Sequence, residues 1–215
     1  TPGHSSAASD VYKRQSKVSN VNALKTRIIE GLTTYSKSTD VNKFGGRFKY
    51  SKALNIIDDI DNAITSNITR VKIRRNLRAV LNSFAQYELC FGNQFRINQE
   101  GKNIKSTGFT IEGENEIVYI TDVPNKDNNG NLDGSGLGVI SIVREDSLRN
   151  TVVVVKSAGT VDYIHGEIIL TTVNITSTVK ENNVIEIQAF PDSNDVVGLK
   201  DLYLSLIHIS EPTRR

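Results

Sequence analysis

The chain of 215 residues has no tryptophan, a single cysteine and an aromatic content of only 7%. Each shortage excludes something. One cysteine, Cys90, permits no intrachain disulfide, as expected of a protein made in a reducing compartment. Flanked by Leu89 and Phe91, it reads as a small buried hydrophobe and not as a reactive thiol. Sugar-binding sites that stack rings on exposed aromatics have little to draw on here. Histidine is scarce too: His4 and His208 lie at the ends, which leaves His165 alone in the body. No run is long and apolar enough to span a bilayer, and no stretch reads as a signal peptide.

Charge of one sign is also lacking. The formal net charge is +2. Lys13 and Arg14 outweigh Asp10 at one end, and Arg214 and Arg215 outweigh Glu211 at the other, so each end carries one net positive charge. The body between them is therefore neutral. A neutral body has no general attraction to nucleic acid or to an anionic membrane, and neither is expected as a partner.

The ends themselves stand apart. Residues 1–15, Thr-Pro-Gly-His-Ser-Ser-Ala-Ala-Ser-Asp-Val-Tyr-Lys-Arg-Gln, and the last residues, Leu-Ile-His-Ile-Ser-Glu-Pro-Thr-Arg-Arg, continue no neighbouring pattern. Both resemble translated sequencing-adapter sequence. They are set aside as artefact or disordered tails at 1–15 and 207–215, and the natural protein is expected to extend further upstream.

What is present is first helical. Val21, Leu24, Ile28, Ile29, Leu32 and Tyr35 form an apolar stripe that predicts a helix over 18–38. A polar stretch ending in Gly45-Gly46 reads as a loop. Ala53, Ile56, Ile57, Ile60, Ile64 and Ile68 then recur at three- and four-residue steps, which predicts a central helix over roughly 51–67 with Ser51 as N-cap. Asp58, Asp59 and Asp61 fall on its polar face. Beyond it lies a basic run, Arg70, Lys72, Arg74, Arg75 and Arg78, in which Val71 and Ile73 alternate as in a half-buried strand.

Strands dominate afterwards. Tyr87–Phe91, Phe109–Ile111, Ile117–Ile120, Val139–Val143 and Val152–Val155 are rich in β-branched and aromatic residues. Val161–Ile164 and Glu167–Leu170 flank His165-Gly166, a hairpin turn that makes His165 a turn residue more than a ligand or base. Val184–Phe190 alternates until Pro191, and 196–206 supplies a closing strand. The expected fold class is α+β: N-terminal helices followed by a mostly antiparallel β region, with a helical region at 16–83 and a β-rich region at 84–206.

Several separate motifs carry a family resemblance. Tyr50-Ser-Lys, Ile57-Asp-Asp-Ile-Asp, Ile64-Thr-Ser-Asn-Ile-Thr-Arg-Val-Lys-Ile-Arg-Arg, Tyr87-Glu-Leu-Cys-Phe-Gly-Asn, Ala158-Gly-Thr-Val-Asp-Tyr with Gly166, and Pro191-Asp-Ser-Asn-Asp-Val follow in order. Together they resemble the C-terminal part of the large baseplate wedge subunit of T4-like contractile-tailed bacteriophages, over most of 40–205. The resemblance implies a structural protein of the virion tail baseplate, assembled in the host cytoplasm. It implies self-association, with a dimer expected, and contacts with other wedge proteins in the ring around the tail hub. The 125–138 loop is where family members are expected to differ in length.

Catalytic and ligand-binding signatures are lacking in the sequence. Asn125–Gly136 fails as an EF-hand in both registers: one ends in Gly136 where a bidentate Glu is required, and the other places Leu132 where Gly is required. Gly134-Ser-Gly-Leu-Gly138 is too short for a dinucleotide fingerprint and leads into a strand. The three Asp of the central helix lie on a solvated face, not as a glycosidase pair. No catalytic, cofactor-binding or metal-binding residue is assigned, no cofactor is expected, and the protein is not read as an enzyme. The alternative function is a carbohydrate-binding β domain of a phage adhesin, against which the aromatic shortage argues. For self-association, the two apolar stripes offer the surface. The Arg70–Arg78 cluster can pair with the Asp58–Asp61 face of a neighbour to set register.

Overall fold

A computed structural model describes residues 21–41, 43, 48–61, 64, 67, 69–198 and 202–208. The sequence-level readings of residues 1–15, of Gly45-Gly46, of Ile68 and of 209–215 lie outside the described residues. The chain divides into two compact units, one drawn from Thr1–Thr69 and His208–Arg215, the other Arg70–Ile207.

The first unit is a helical pair. Helix α1 spans Val21–Lys37 and α2 spans Tyr50–Asp58. The apolar spacing puts one face of each helix against the other. At Gly31 the helices come close enough that an added Cβ would lie 3.3 Å from Ile56 Cγ2. Tyr35, Ala53 and Ile57 are the buried apolar side chains of this unit. Polar clasps finish it. The Tyr35 hydroxyl accepts the Lys49 N–H at 3.1 Å, Arg27 pairs with Asp61 at 3.0 Å, and Lys52 pairs with Asp40.

The central helix is shorter than its apolar spacing predicts. It ends at Asp58, with Asp59 as C-cap, and the described residues Ile64 and Asn67 are not helical. Asp58, Asp59, Asp61, Thr65 and Ser66 are weak helix formers whose side chains compete for backbone hydrogen bonds, which favours an end there even though it sets carboxylates at the negative end of the macrodipole. The Asn67 amide then donates to the Leu54 carbonyl at 3.4 Å, supplying a partner in the last turn. Ser51 is not the N-cap. Helix α2 begins one residue earlier, and Lys49 occupies the cap without a side-chain bond.

The second unit is a sheet. Its strands are β1 Thr69–Arg78, β2 Phe84–Cys90, β3 Lys105–Ser106, β4 Phe109–Ile111, β5 Tyr119–Pro124, β6 Leu137–Glu145, β7 Thr151–Asp162, β8 Glu167–Thr178, β9 Val184–Ala189 and β10 Tyr203–His208. They run in the order β10-β1-β9-β3-β5-β6-β7-β8-β2, with β4 on β8. Every pairing with a described register is antiparallel.

This arrangement corrects the expected fold class. The architecture is mostly antiparallel sheet with two helices among the described residues, not helices followed by a separate β region. The sheet begins at Thr69, ahead of residue 84, because Val71, Ile73 and Leu77 alternate with polar residues and point inward. Strand β1 is then inserted between the two C-terminal strands β10 and β9. Helical stripes read along the chain do not reveal that long-range insertion.

Alternation builds the interior. Ile73 lies opposite Ala189 and Leu77 opposite Ile185. Ile140, Ile142, Ile168, Leu170, Phe91 and Phe95 are also buried, and the two rings meet edge to face at 5.0 Å. The β7–β8 hairpin forms as its sequence predicts, but its turn is Tyr163–Gly166 and not His165-Gly166 alone. Gly166 has φ +68, and a Cβ there would fall 2.1 Å from the Asn93 carbonyl oxygen. A close approach and a left-handed backbone both require glycine.

Candidate interaction surface

A fully buried carboxylate is one group that sequence reasoning missed. Asp122, on β5, is 0% exposed. Its Oδ1 accepts the Ile104 N–H at 2.6 Å and its Oδ2 accepts the Tyr163 hydroxyl at 2.7 Å. Burial pushes its carboxyl above the ordinary value, against those hydrogen bonds, which pull it down. Burial, and then the nearby Asp122 charge, push the Tyr163 phenol up. Both groups are closed inside the sheet unit, so this pair is a polar tie in the core. Alternation alone gave no signal for it, since Ile120, Thr121 and Asp122 are buried in succession.

His165 sits in the β7–β8 turn, as read from the sequence, but it has an orienting partner that the sequence did not reveal. Its Nδ1 lies 2.7 Å from Asp162 Oδ2, while Asp162 Oδ1 accepts the N–H groups of Ile164 and His165. The Asp162 hydrogen bond and charge raise the imidazole above its ordinary value. The Asp162 carboxyl is held low, first by the His165 N–H. The arrangement clasps an exposed turn.

Cys90 is half-buried at the end of β2, less covered than expected, with Leu89 taking the inward position. The 125–138 loop is a β5–β6 connection whose carboxylates are turned on its own backbone. Asp127 accepts the N–H groups of Asn129 and Asn131, and Asp133 accepts from Ser135. Among the described residues no three His, Cys, Asp or Glu side chains are gathered as metal ligands.

Three surface features have definite shape. The first is the flank of the helical pair. Leu24, Ile28, Leu32, Ile56, Ile60 and Ile64 are half-buried, and Ile29 is 54% exposed. The stripes read from sequence thus meet each other along part of their width and leave the rest open.

The second is a cleft of about 310 Å³ where β7 and β8 part. The two strands pair only between Gly159–Asp162 and Glu167–Leu170. Beyond that, Val155, Thr171, Val173, Ile111 and the 65%-exposed Phe84 line the gap.

The third is the polar face of β1 with β9 and β3. The basic run divides there. Arg74 is taken by Glu186 at 2.9 Å and stacks on Tyr203 at 4.6 Å. Arg75 lies on the opposite side of the strand, across from Ile187. Lys72 lies over the Phe190 ring at 5.1 Å. Lys105, which no local pattern linked to this run, joins the face through β3.

These features are surfaces for contact, and comparison with known protein families gives them a setting. Residues 7–76, about a third of the chain, match the family model of baseplate structural protein gp6, C-terminal domain III, a T4-like baseplate wedge protein. The match bears out the resemblance and the virion tail baseplate location. It takes in both helices and most of β1, while the motifs at Tyr87, Ala158 and Pro191 fall outside it. No curated protein matches the chain. No helix among the described residues is long and apolar enough to cross a membrane.

Proposed function

We propose that the chain holds subunit–subunit contacts in the ring around the tail hub, pairing with a second copy and with other wedge proteins. One observation carries this reading. The segment that matches the baseplate family contains a helical pair with a small interior, whose apolar flank is only half covered within the chain. Apolar surface of that kind is the usual material of permanent subunit contacts. On this reading the contact is with a like subunit, through α1 and the neighbouring positions of α2, and no catalytic step is part of the role.

Sedimentation velocity of the whole chain across the micromolar range tests it. A dimer or larger species is expected, and Ile29→Asp, placed at the most exposed position of the stripe, should shift it toward monomer. A single monomeric species at high micromolar concentration would overturn the reading.

A further inference from the structure

The sheet unit carries cations that no carboxylate answers among the described residues. Strands β1, β9 and β3 lie side by side, and Arg74, Gln188 and Lys105 are consecutive register partners across them. Register partners share a face, and so do residues two apart on one strand, which adds Lys72 to the same face. The groove there, about 290 Å³, is lined by Lys72, Arg74, Gln188, Tyr203 and Leu204.

Arg74 has Glu186, and Lys180 also lies 3.8 Å from that carboxylate. Among the described residues no carboxylate lies within ion-pair distance of Lys72 or Lys105. Burial, and then the like charge of Lys105, lower the Lys72 ammonium from its ordinary value. An anion brought to this face would offset the repulsion between the two ammonium groups.

The helical unit carries the complementary excess. Asp58 is the last residue of α2 and Asp59 its C-cap, and both are exposed. Carboxylates at a helix C-terminus face the negative end of the macrodipole. Neither side chain forms an ion pair among the described residues.

We infer that the Lys72–Lys105 face is a docking site for the Asp58-Asp59 end of α2 from a second copy of this chain. The inference rests on the self-association reading above, but names a different surface. The contact joins unlike patches. It is therefore heterologous, and repeats of it close into a ring or run on as a chain of subunits, whereas a two-fold pairing of apolar flanks stops at two. Close charge pairs of this kind set register and weaken as salt is added. The sequence-level pairing of Arg70–Arg78 with Asp58–Asp61 is thereby narrowed. Arg74 and Arg75 leave the donor set, and Lys105 enters it.

A charge swap on the whole chain tests this, read by sedimentation equilibrium at low and high salt. One variant carries Lys72→Glu with Lys105→Glu, the other Asp58→Lys with Asp59→Lys. All four positions are at least partly exposed, and circular dichroism checks that both variants fold. Each variant alone should associate about tenfold more weakly than the parent at low salt. Mixing the two in equal amounts should restore association to within about threefold, because each variant's altered patch meets its complement on the other. High salt should weaken the parent and abolish the difference. Association that ignores both variants and salt, yet is lost in Ile29→Asp, overturns this inference and leaves the apolar contact standing. Failure of the mixture to restore association overturns it equally. A parent that stays monomeric overturns both.

Discussion

The helical unit and the sheet unit solve the same problem with unequal means. Among the described residues the helical unit buries Tyr35, Ala53 and Ile57 as apolar side chains, and ties itself with clasps at its surface. The sheet unit buries apolar residues from β1 through β9, along with a polar tie at Asp122 and Tyr163. Conformational entropy is lost residue by residue in both, so the unit with the smaller interior has the smaller margin. The difference shows which unit a further contact would stabilise more. The family match lies on the unit that is least complete by itself.

The largest test strikes the sheet. Asp122→Ala strands the Ile104 N–H and the Tyr163 hydroxyl inside the protein, which costs roughly 2–6 kcal/mol for two orphaned donors. Urea unfolding followed at the sheet should show that loss. Asp122→Asn keeps an acceptor for Ile104 and an amide for Tyr163, and should cost much less. Equal costs for the two variants would mean that the tie is not holding the core.

A second test strikes the helical unit. Ile57→Ala removes one of its buried side chains and should cost about 2–4 kcal/mol. Given the small interior, the expected outcome is local opening: amides of Val21–Lys37 and Tyr50–Asp58 exchange faster, while those of Ile140 and Ile142 do not change. Loss of protection in both units together would show that they unfold as one, and would break the comparison.

The two units also differed in how much the sequence disclosed. Most strands lie where β-branched runs and turn residues place them, because alternation is a local signal. The apolar stripes of both helices were equally legible, but the end of α2 was not. Ile60 and Ile64 keep the helical spacing, while a run of weak helix formers beginning at Asp58 ends the helix there. Fold class failed for a non-local reason, since nothing in Thr69–Arg78 states that it pairs with Val184–Ala189. The same holds for the surface. Lys105 reaches Lys72 only through β3 and β9, and Asp122 reaches Tyr163 only through the sheet order, so neither pair shows in a window of sequence.

A third, smaller effect separates the units by pH. Asp122 has its folded value raised above the ordinary 3.8. The native state thus holds a proton that the unfolded chain releases earlier. The stabilisation is complete below 3.8 and is lost as pH rises through the folded value. Sheet stability should fall over that window, and the fall should vanish in Asp122→Asn. The smallest effect belongs to the helical surface: Lys52→Ala removes an exposed partner of Asp40 and should leave the thermal midpoint unmoved.

Hydrogen exchange of the whole chain at two protein concentrations tests the central claim most directly. If the helical unit is completed by a second copy, amides of α1 and α2 should be weakly protected when dilute and gain protection when concentrated. Those of β6 should be equally protected in both. Helix amides protected to the same degree at both concentrations would contradict the account.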